Sequence, residues 1–418
     1  MFWRQLGVLS LLNVSVHRRT LSTNLQNFLA DRISNFGPIT VADFMKECLT
    51  NPYNGYYMKS DVFGKHGDFI TSPEICQIFG ELVGVWLVNM WADFKCLSEV
   101  NLVELGPGRG TLASDILRVF SKFPTAYKAV SLHLVEVSPK MCSLQKETIF
   151  TTVSQLGIAP PPIHWYTDFR DVPDNRPTFL LAHEFLDALP VHQFRKNKGD
   201  WREVLVDVTQ TTEGSPKKER ELCFVQAPSQ TATQVVYFPL AGDVKDRDFV
   251  EVCPRALVLM DELCQRLTKT PSAALIIDYG HLGEKGNTLR GFRNHQVCDA
   301  LLDPGNIDLT CDVDFSMLQR RISSSGCNVN VYGPVTQAYF LINMGLLTRL
   351  KTLVEQCDSD SQREELLSGC EMLITEEQMG ERFKFLAIVS PRDEDEGQPR
   401  PLPGFTDLPG TPYANSAV

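Results

Sequence analysis

The sequence predicts an α/β fold, a mostly parallel sheet with helices on both faces, and three observations carry that prediction. Residues 101–112, Asn-Leu-Val-Glu-Leu-Gly-Pro-Gly-Arg-Gly-Thr-Leu, read as a buried strand from Leu102 to Leu105 and a turn with glycine at 106, 108 and 110. A helix follows from Thr111, with Leu112, Ile116, Leu117 and Phe120 on one face. Apolar runs at 130–136, 163–167, 178–182 and 273–278 then alternate with helical periods, as in successive βαβ units. Finally, the polar residues Glu104, Glu136, Asp168, His183, Glu184 and Asp278 end these runs, where an open parallel sheet binds its ligand.

Taken in order, the chain begins with thirty residues that contain no acid, while Arg4, Arg18 and Arg19 are spaced among leucine, serine and threonine. That composition predicts a mitochondrial transit peptide over residues 1–22. A secretory signal fits less well, because Asn13 and the arginines crowd its apolar core; a disordered N-terminus is the plainer alternative. Residues 23–98 are expected to form a helical segment packed on the catalytic domain, with helices at 24–35 and 40–49 and a capping box from Thr40 to Asp43. Ser72 is expected to cap a third helix with Pro73 in its first turn, running to Phe94. Its apolar stripe, Ile75, Ile78, Phe79, Leu82, Val83, Trp86, Met90 and Trp91, reads as core.

The main domain is expected over 99–390, with insertions at about 192–250, read as antiparallel strands, and 335–373, read as helices. Residues 283–308 read as a long polar loop, and a length of that kind in a compact domain is usually functional or mobile. A last strand is expected at 383–389, and 391–418 read as a disordered, acidic tail rich in proline and glycine.

Composition narrows the partners. The net charge is −11 and no dense basic run occurs, so no nucleic-acid partner is expected. No apolar run reaches eighteen residues, so no integral membrane segment is expected. The twelve cysteines contain no C-x-x-C pair and read as free thiols of a reducing compartment. No metal site is expected: His183-Glu184 opens like the zinc motif H-E-x-x-H, but position 187 is aspartate.

The glycine turn itself selects among ligands. A dinucleotide fingerprint, G-x-G-x-x-G, needs glycine at 111, where this chain has Thr111. Glu104, two residues before Gly106, would repel a pyrophosphate and attract an ammonium group. Glu136, thirty residues past Gly106, is placed to accept hydrogen bonds from both ribose hydroxyls. S-adenosylmethionine joins an ammonium, a sulfonium and an adenosine without phosphate, and is the expected cofactor. Its expected contacts are Glu104, Gly106, Gly108, Gly110, Glu136 and Asp168. A tight strand-to-helix turn with solvated acids at the strand ends is the alternative.

The motif Val103-Glu104-Leu105-Gly106-Pro107-Gly108-Arg109-Gly110-Thr111 resembles the first motif of the MidA-type S-adenosylmethionine-dependent methyltransferases. Gly67–Glu74, Ala182–Val191, Ile277–His281, Thr288–Phe292 and Asp308–Phe315 extend the resemblance, in order, over about residues 36 to 390. The resemblance implies a seven-stranded class I methyltransferase (Rossmann-like) sheet and further cofactor contacts at Thr71 and Pro73. With the leader-like N-terminus it implies the mitochondrial branch of that family, a matrix protein that symmetrically dimethylates an arginine of a respiratory complex I core subunit. That substrate is NADH dehydrogenase iron–sulfur protein 2, and the reaction supports complex I assembly. Glu184 and Asp187 are then the candidate catalytic acids, because paired carboxylates can grip a guanidinium and orient one nitrogen. At spacing three they share a face if the segment is helical. His183 departs from the family, many of whose members have asparagine there. Two other functions are compatible with the same fold: methylation of a small molecule, and a non-catalytic assembly chaperone.

Overall fold

The computed structural model describes residues 24–59, 71–209, 220–392 and 401–406. The expected transit peptide and the Gly67–Ile70 part of one motif lie outside them. The main sheet is built from β1 (Val100–Leu105), β2 (Val130–Val135), β3 (Ile163–Tyr166), β4 (Thr178–His183), β5 (Ala273–His281), β6 (Val313–Asp314), β7 (Asn330–Thr336) and β8 (Phe383–Val389). Seven of these form one continuous path, β7-β8-β5-β4-β1-β2-β3, and the short β6 pairs with β5 off that path, so the sheet has eight strands in place of the expected seven. β1 to β5 run parallel; β8 is antiparallel to both β5 and β7. The chain moves outward from β1 to β3, then returns to lay β4 on the other side of β1. That reversal is the switch point, and it opens a crevice at the carboxyl ends of β1 and β4.

β1, β2 and β4 are buried along their whole length; β4 is continuously apolar from Phe179 to Ala182, whereas β2 buries Ser131 and His133 between its apolar residues. Each face is covered by its own core. One side carries Phe79, Trp86, Phe120, Phe340 and Phe385, and the other Phe194, Met260, Leu263 and Phe315. A third core joins the N-terminal helices Asn24–Phe36 and Val41–Thr50 to an antiparallel sheet from the 192–250 insertion, through Leu29, Phe44, Met45 and Val206. The N-terminal segment also supplies a strand to that sheet: Ile39 pairs with Val206 and Thr40 with Leu205.

Several expectations are corrected. Thr71, one residue before Ser72, caps the third helix, and the Glu74 carboxylate accepts from the Thr71 N–H at 3.4 Å. That helix is also two, Ser72–Ile75 and Gln77–Asp93, parted at the extended Cys76. Residues 283–308 are not simply loop: Arg290–Arg293, Gln296–Cys298 and Asp308–Thr310 pair as a three-stranded antiparallel sheet. Part of the supposed tail is core. Leu402 is fully buried, and the Phe405 ring packs edge-on to Phe340 at 5.5 Å.

Phe405→Ala should therefore lower the unfolding free energy by about 3 kcal/mol, the usual cost of deleting a buried aromatic ring. An unchanged urea midpoint and slope would show that the 401–406 segment does not dock in solution.

Candidate active site

The three glycines of the turn do different work. All have positive φ, 62° at Gly106, 51° at Gly108 and 83° at Gly110, which a side chain disfavours. A Cβ on Gly106 would lie 2.8 Å from the Phe185 ring. A Cβ on Gly110 would press at 3.3 Å on the backbone of Gln145, so this glycine lets the helix Pro139–Gln155 approach. Gly106 and Gly108 line the large crevice; Gly110 caps the helix behind it.

The crevice holds about 670 Å³, within the usual range for a cofactor-sized site. Thr71, Pro73, Glu104, Glu136, Asp168, Glu184 and Asp187 all line it, so the turns after β1, β2, β3 and β4 share one cavity. Their carboxylates stand in different states. Glu104 is buried, its Oε2 has no hydrogen-bond partner, and burial pushes its carboxyl up to about 8. Glu136 is held on both oxygens: Oε1 accepts from the Ser138 N–H at 2.8 Å and Oε2 from Gln145 Nε2 at 3.0 Å. The same Gln145 amide donates to the Gly108 carbonyl at 2.9 Å, and its Oε1 accepts from Trp165 Nε1 at 3.0 Å. Gln145 thus ties the glycine turn to Glu136, a link that its lone place in a helix did not signal. Asp168 lies at the exposed edge and is engaged by Arg170 through Nε at 2.9 Å and Nη2 at 2.6 Å, which holds its carboxyl down to about 2.

Glu184 and Asp187 do not share a helical face, because residues 184–190 form a bend and a turn. Glu184 has φ 47°, a left-handed conformation uncommon outside glycine. The turn nonetheless brings both carboxyls to the cavity wall. Glu184 Oε1 is buried, unpaired, and 3.3 Å from His183 Nε2. Burial first, then the neighbouring Asp187, push the Glu184 carboxyl well above its usual range. Asp187 Oδ2 accepts from the Tyr279 hydroxyl and from Thr310 Oγ1, the latter at 2.7 Å, while Oδ1 is buried without a partner. Burial raises the Asp187 carboxyl against the pull of these two hydroxyls.

Three cavity residues at this end were not flagged by the sequence as site residues. Tyr57 donates to Asp308 Oδ1 at 2.8 Å, and both line the cavity. Tyr279 also lines it, with the Arg290 guanidinium 5.2 Å from its ring centre and in turn paired with Asp312 at 2.7 Å. Tyr279 and Asp308 sat in recognisable strings and Tyr57 in none, and nothing local distinguished any of them from structural residues. Among the described residues no cluster suits a metal ion, and no helix is long and apolar enough to cross a membrane.

Known proteins place this site in a family. Residues 82–335 match the family of S-adenosyl-L-methionine-dependent methyltransferases. The human protein named protein arginine methyltransferase NDUFAF7, mitochondrial, is 45% identical over 385 residues, covering 88% of this chain and 83% of that protein. Its Xenopus laevis counterpart is 44% identical over 387 residues, covering 89% and 86%. A crystal structure from Burkholderia thailandensis, of a protein bound to S-adenosyl-homocysteine, shares the fold with a TM-score of 0.73 at 24% identity, over 91% of this chain and 94% of that one. With a glycine turn after β1 and carboxylates converging on one crevice, this chain belongs to the S-adenosyl-L-methionine-dependent methyltransferase family.

Proposed function

We propose that this chain is a protein-arginine methyltransferase of mitochondria. The observation that carries the reading is the pair of buried, unpaired carboxylate oxygens, Glu184 Oε1 and Asp187 Oδ1, on the wall of the cavity that also holds the glycine turn. The names of the vertebrate relatives support the arginine acceptor and the mitochondrion. The finer parts of the proposal follow from the family resemblance: symmetric dimethylation, NADH dehydrogenase iron–sulfur protein 2 as substrate, support of complex I assembly, and the matrix as the compartment.

The residues present fit the cofactor. Glu104 offers an unpaired buried oxygen to an ammonium, and Glu136 lies beside the turn, already oriented by Gln145. Gly106 and Gly108 put no side chain of their own into the crevice, while Thr71, Pro73 and Asp168 complete the wall and Gly110 sets the helix behind it. When bound, S-adenosylmethionine supplies a methyl group on a cationic sulfur, with a neutral thioether as leaving group.

The rest falls to the protein. A guanidinium entering between Glu184 and Asp187 provides a direct countercharge to both, adding to the more distant Arg290 at Asp187, and returns the pair to its ionised, acceptor-only form. Tyr279 and Thr310 fix Asp187, so the bound guanidinium has a set orientation. Holding a nitrogen in line with a methyl group contributes roughly 7–11 kcal/mol in well-oriented reactions. As the new N–C bond forms, the acceptor gives up one N–H proton. Glu184, held above the usual carboxylate range, is the member of the pair suited to take it at neutral pH.

Mass spectrometry of the complex I subunit, incubated with S-adenosylmethionine and this protein, should show a new methylated arginine. No methylation of any arginine would sink the reading, and methylation of a small molecule alone would replace it. Glu184→Gln should bind S-adenosyl-homocysteine as the parent does and lose transfer by at least about 100-fold. Gly108→Val should lose cofactor binding, since valine at φ 51° distorts the turn and fills the approach to it.

Glu104 gives a pH test. Its folded carboxyl holds a proton up to about 8, while the unfolded chain releases it near 4.5. The ligand-free fold therefore loses stability as pH rises across that window. Glu104→Gln should flatten this slope and be the more stable protein at pH 8. Cofactor affinity should do the opposite in the parent, rising with pH towards about 8 as the carboxylate forms, and should become weak and pH-independent in the variant. Parallel pH profiles for the two proteins would remove Glu104 from the site.

A further inference from the structure

Asp278, near the carboxyl end of β5, is fully buried and does not line the large cavity. Its Oδ2 accepts three successive backbone N–H groups, from Phe185 at 3.2 Å, Leu186 at 2.9 Å and Asp187 at 3.3 Å. Its Oδ1 accepts from the Tyr279 N–H at 3.0 Å. Successive N–H groups that converge on one point form an anion-binding concavity, and here the anion belongs to the protein.

The turn that these bonds hold is one the chain would not adopt freely. The Glu184 N–H continues the β4–β5 ladder to the Ile277 carbonyl at 2.9 Å. The chain then reverses through the left-handed conformation at Glu184, a strained geometry that persists only where its surroundings fix it. At the far end the Asp187 carbonyl accepts from the Cys311 N–H at 3.0 Å. Between those anchors, among the described residues only the Asp278 carboxylate collects the amides of 185–187. The glycine turn has anchors of its own, from the Gly106 N–H to the Val135 carbonyl at 3.0 Å and from Gln145 Nε2 to the Gly108 carbonyl at 2.9 Å.

We propose that Asp278 is the positioning residue of the acceptor turn: gripped by the amides of 185–187, its carboxylate sets where Glu184 and Asp187 stand for methyl transfer, while cofactor binding does not depend on it. This rests on the reading of Glu184 and Asp187 as the acids that hold the acceptor. Asparagine cannot replace the carboxylate, because its NH2 must face either the Tyr279 N–H or the three converging amides, donor against donor.

Asp278→Asn tests this with three measurements on the full chain. Calorimetric affinity for S-adenosyl-homocysteine should stay within about threefold of the parent, while kcat on the arginine substrate falls about 100-fold, as a displacement near 1 Å does. Hydrogen exchange at amides 185–187 should quicken. A kcat within threefold of the parent overturns the proposal. So does a loss of cofactor affinity in step with kcat, which marks a general scaffold. Where the variant does not fold, exchange in the parent decides: amides 185–187 as protected as the core of β5 support the role, and fast exchange overturns it. Full activity in both Glu184→Gln and Asp187→Asn would instead remove the acceptor reading itself, whatever Asp278→Asn does.

Discussion

A carboxylate buried without a cation must be answered by N–H or O–H donors, or it stands at high cost until a ligand arrives. That constraint sorts the acids of this molecule. Asp278 has four backbone N–H donors and Glu203, in the insertion sheet, has His192, Thr231 and Thr233; both hold the frame. Glu136 is held on both oxygens beside the glycine turn. Asp187 is answered on one oxygen only, and Glu104 and Glu184 each keep a buried oxygen unanswered. Glu104, Glu184 and Asp187 line a single cavity, which is why they read as places for cationic ligands instead of as defects; Asp115 Oδ2, buried without a hydrogen-bond partner behind the glycine turn, lies outside it.

The switch in strand order explains why they meet. β1 and β4 are hydrogen-bonded neighbours, so the turn after each opens on the same crevice. The contact between Phe185 and Gly106 measures how close the turns come: the acid-bearing turn packs where a side chain on the glycine turn would stand. On the proposed reading, a donor beside one turn and an acceptor beside the other need no further element to bring them together.

What the sequence made legible is what is local. The strand, glycine turn and helix at 100–120 appear as read, because burial, positive φ and helical period are each written within a few residues. Thr40 caps its helix as its spacing from Asp43 implied. Asp278 was legible as a strand-end acid but not as the anchor of a turn 91 to 93 residues away. Gln145 sits in a helix of ordinary composition and gains its role only when that helix packs against Gly110. The 401–406 turn was hidden by its own prolines and glycine, since Leu402 and Phe405 are too few to make a period. Asp187 was expected as a catalytic acid through a helical spacing, but it reaches the cavity wall through a turn and not a helix.

Charge gives the proposed reading its internal consistency. Before transfer, Glu184 and Asp187 are two anions, and they face two positive centres, the acceptor guanidinium and the sulfonium. Transfer removes the sulfonium charge and frees one proton. If the proton went to bulk water at that moment, two buried carboxylates would remain against one guanidinium, the costly state that burial and mutual repulsion oppose. If Glu184 takes it, one anion of the pair faces one cation, and the balance between the two acids and their ligands is the same before and after transfer. Asp187 serves less well, since two hydroxyl donors on its Oδ2 oppose the rise that burial causes, and Glu184 Oε1 has no such donor. The unequal bonding of the two acids is thus what lets one stay an anchor while the other changes charge.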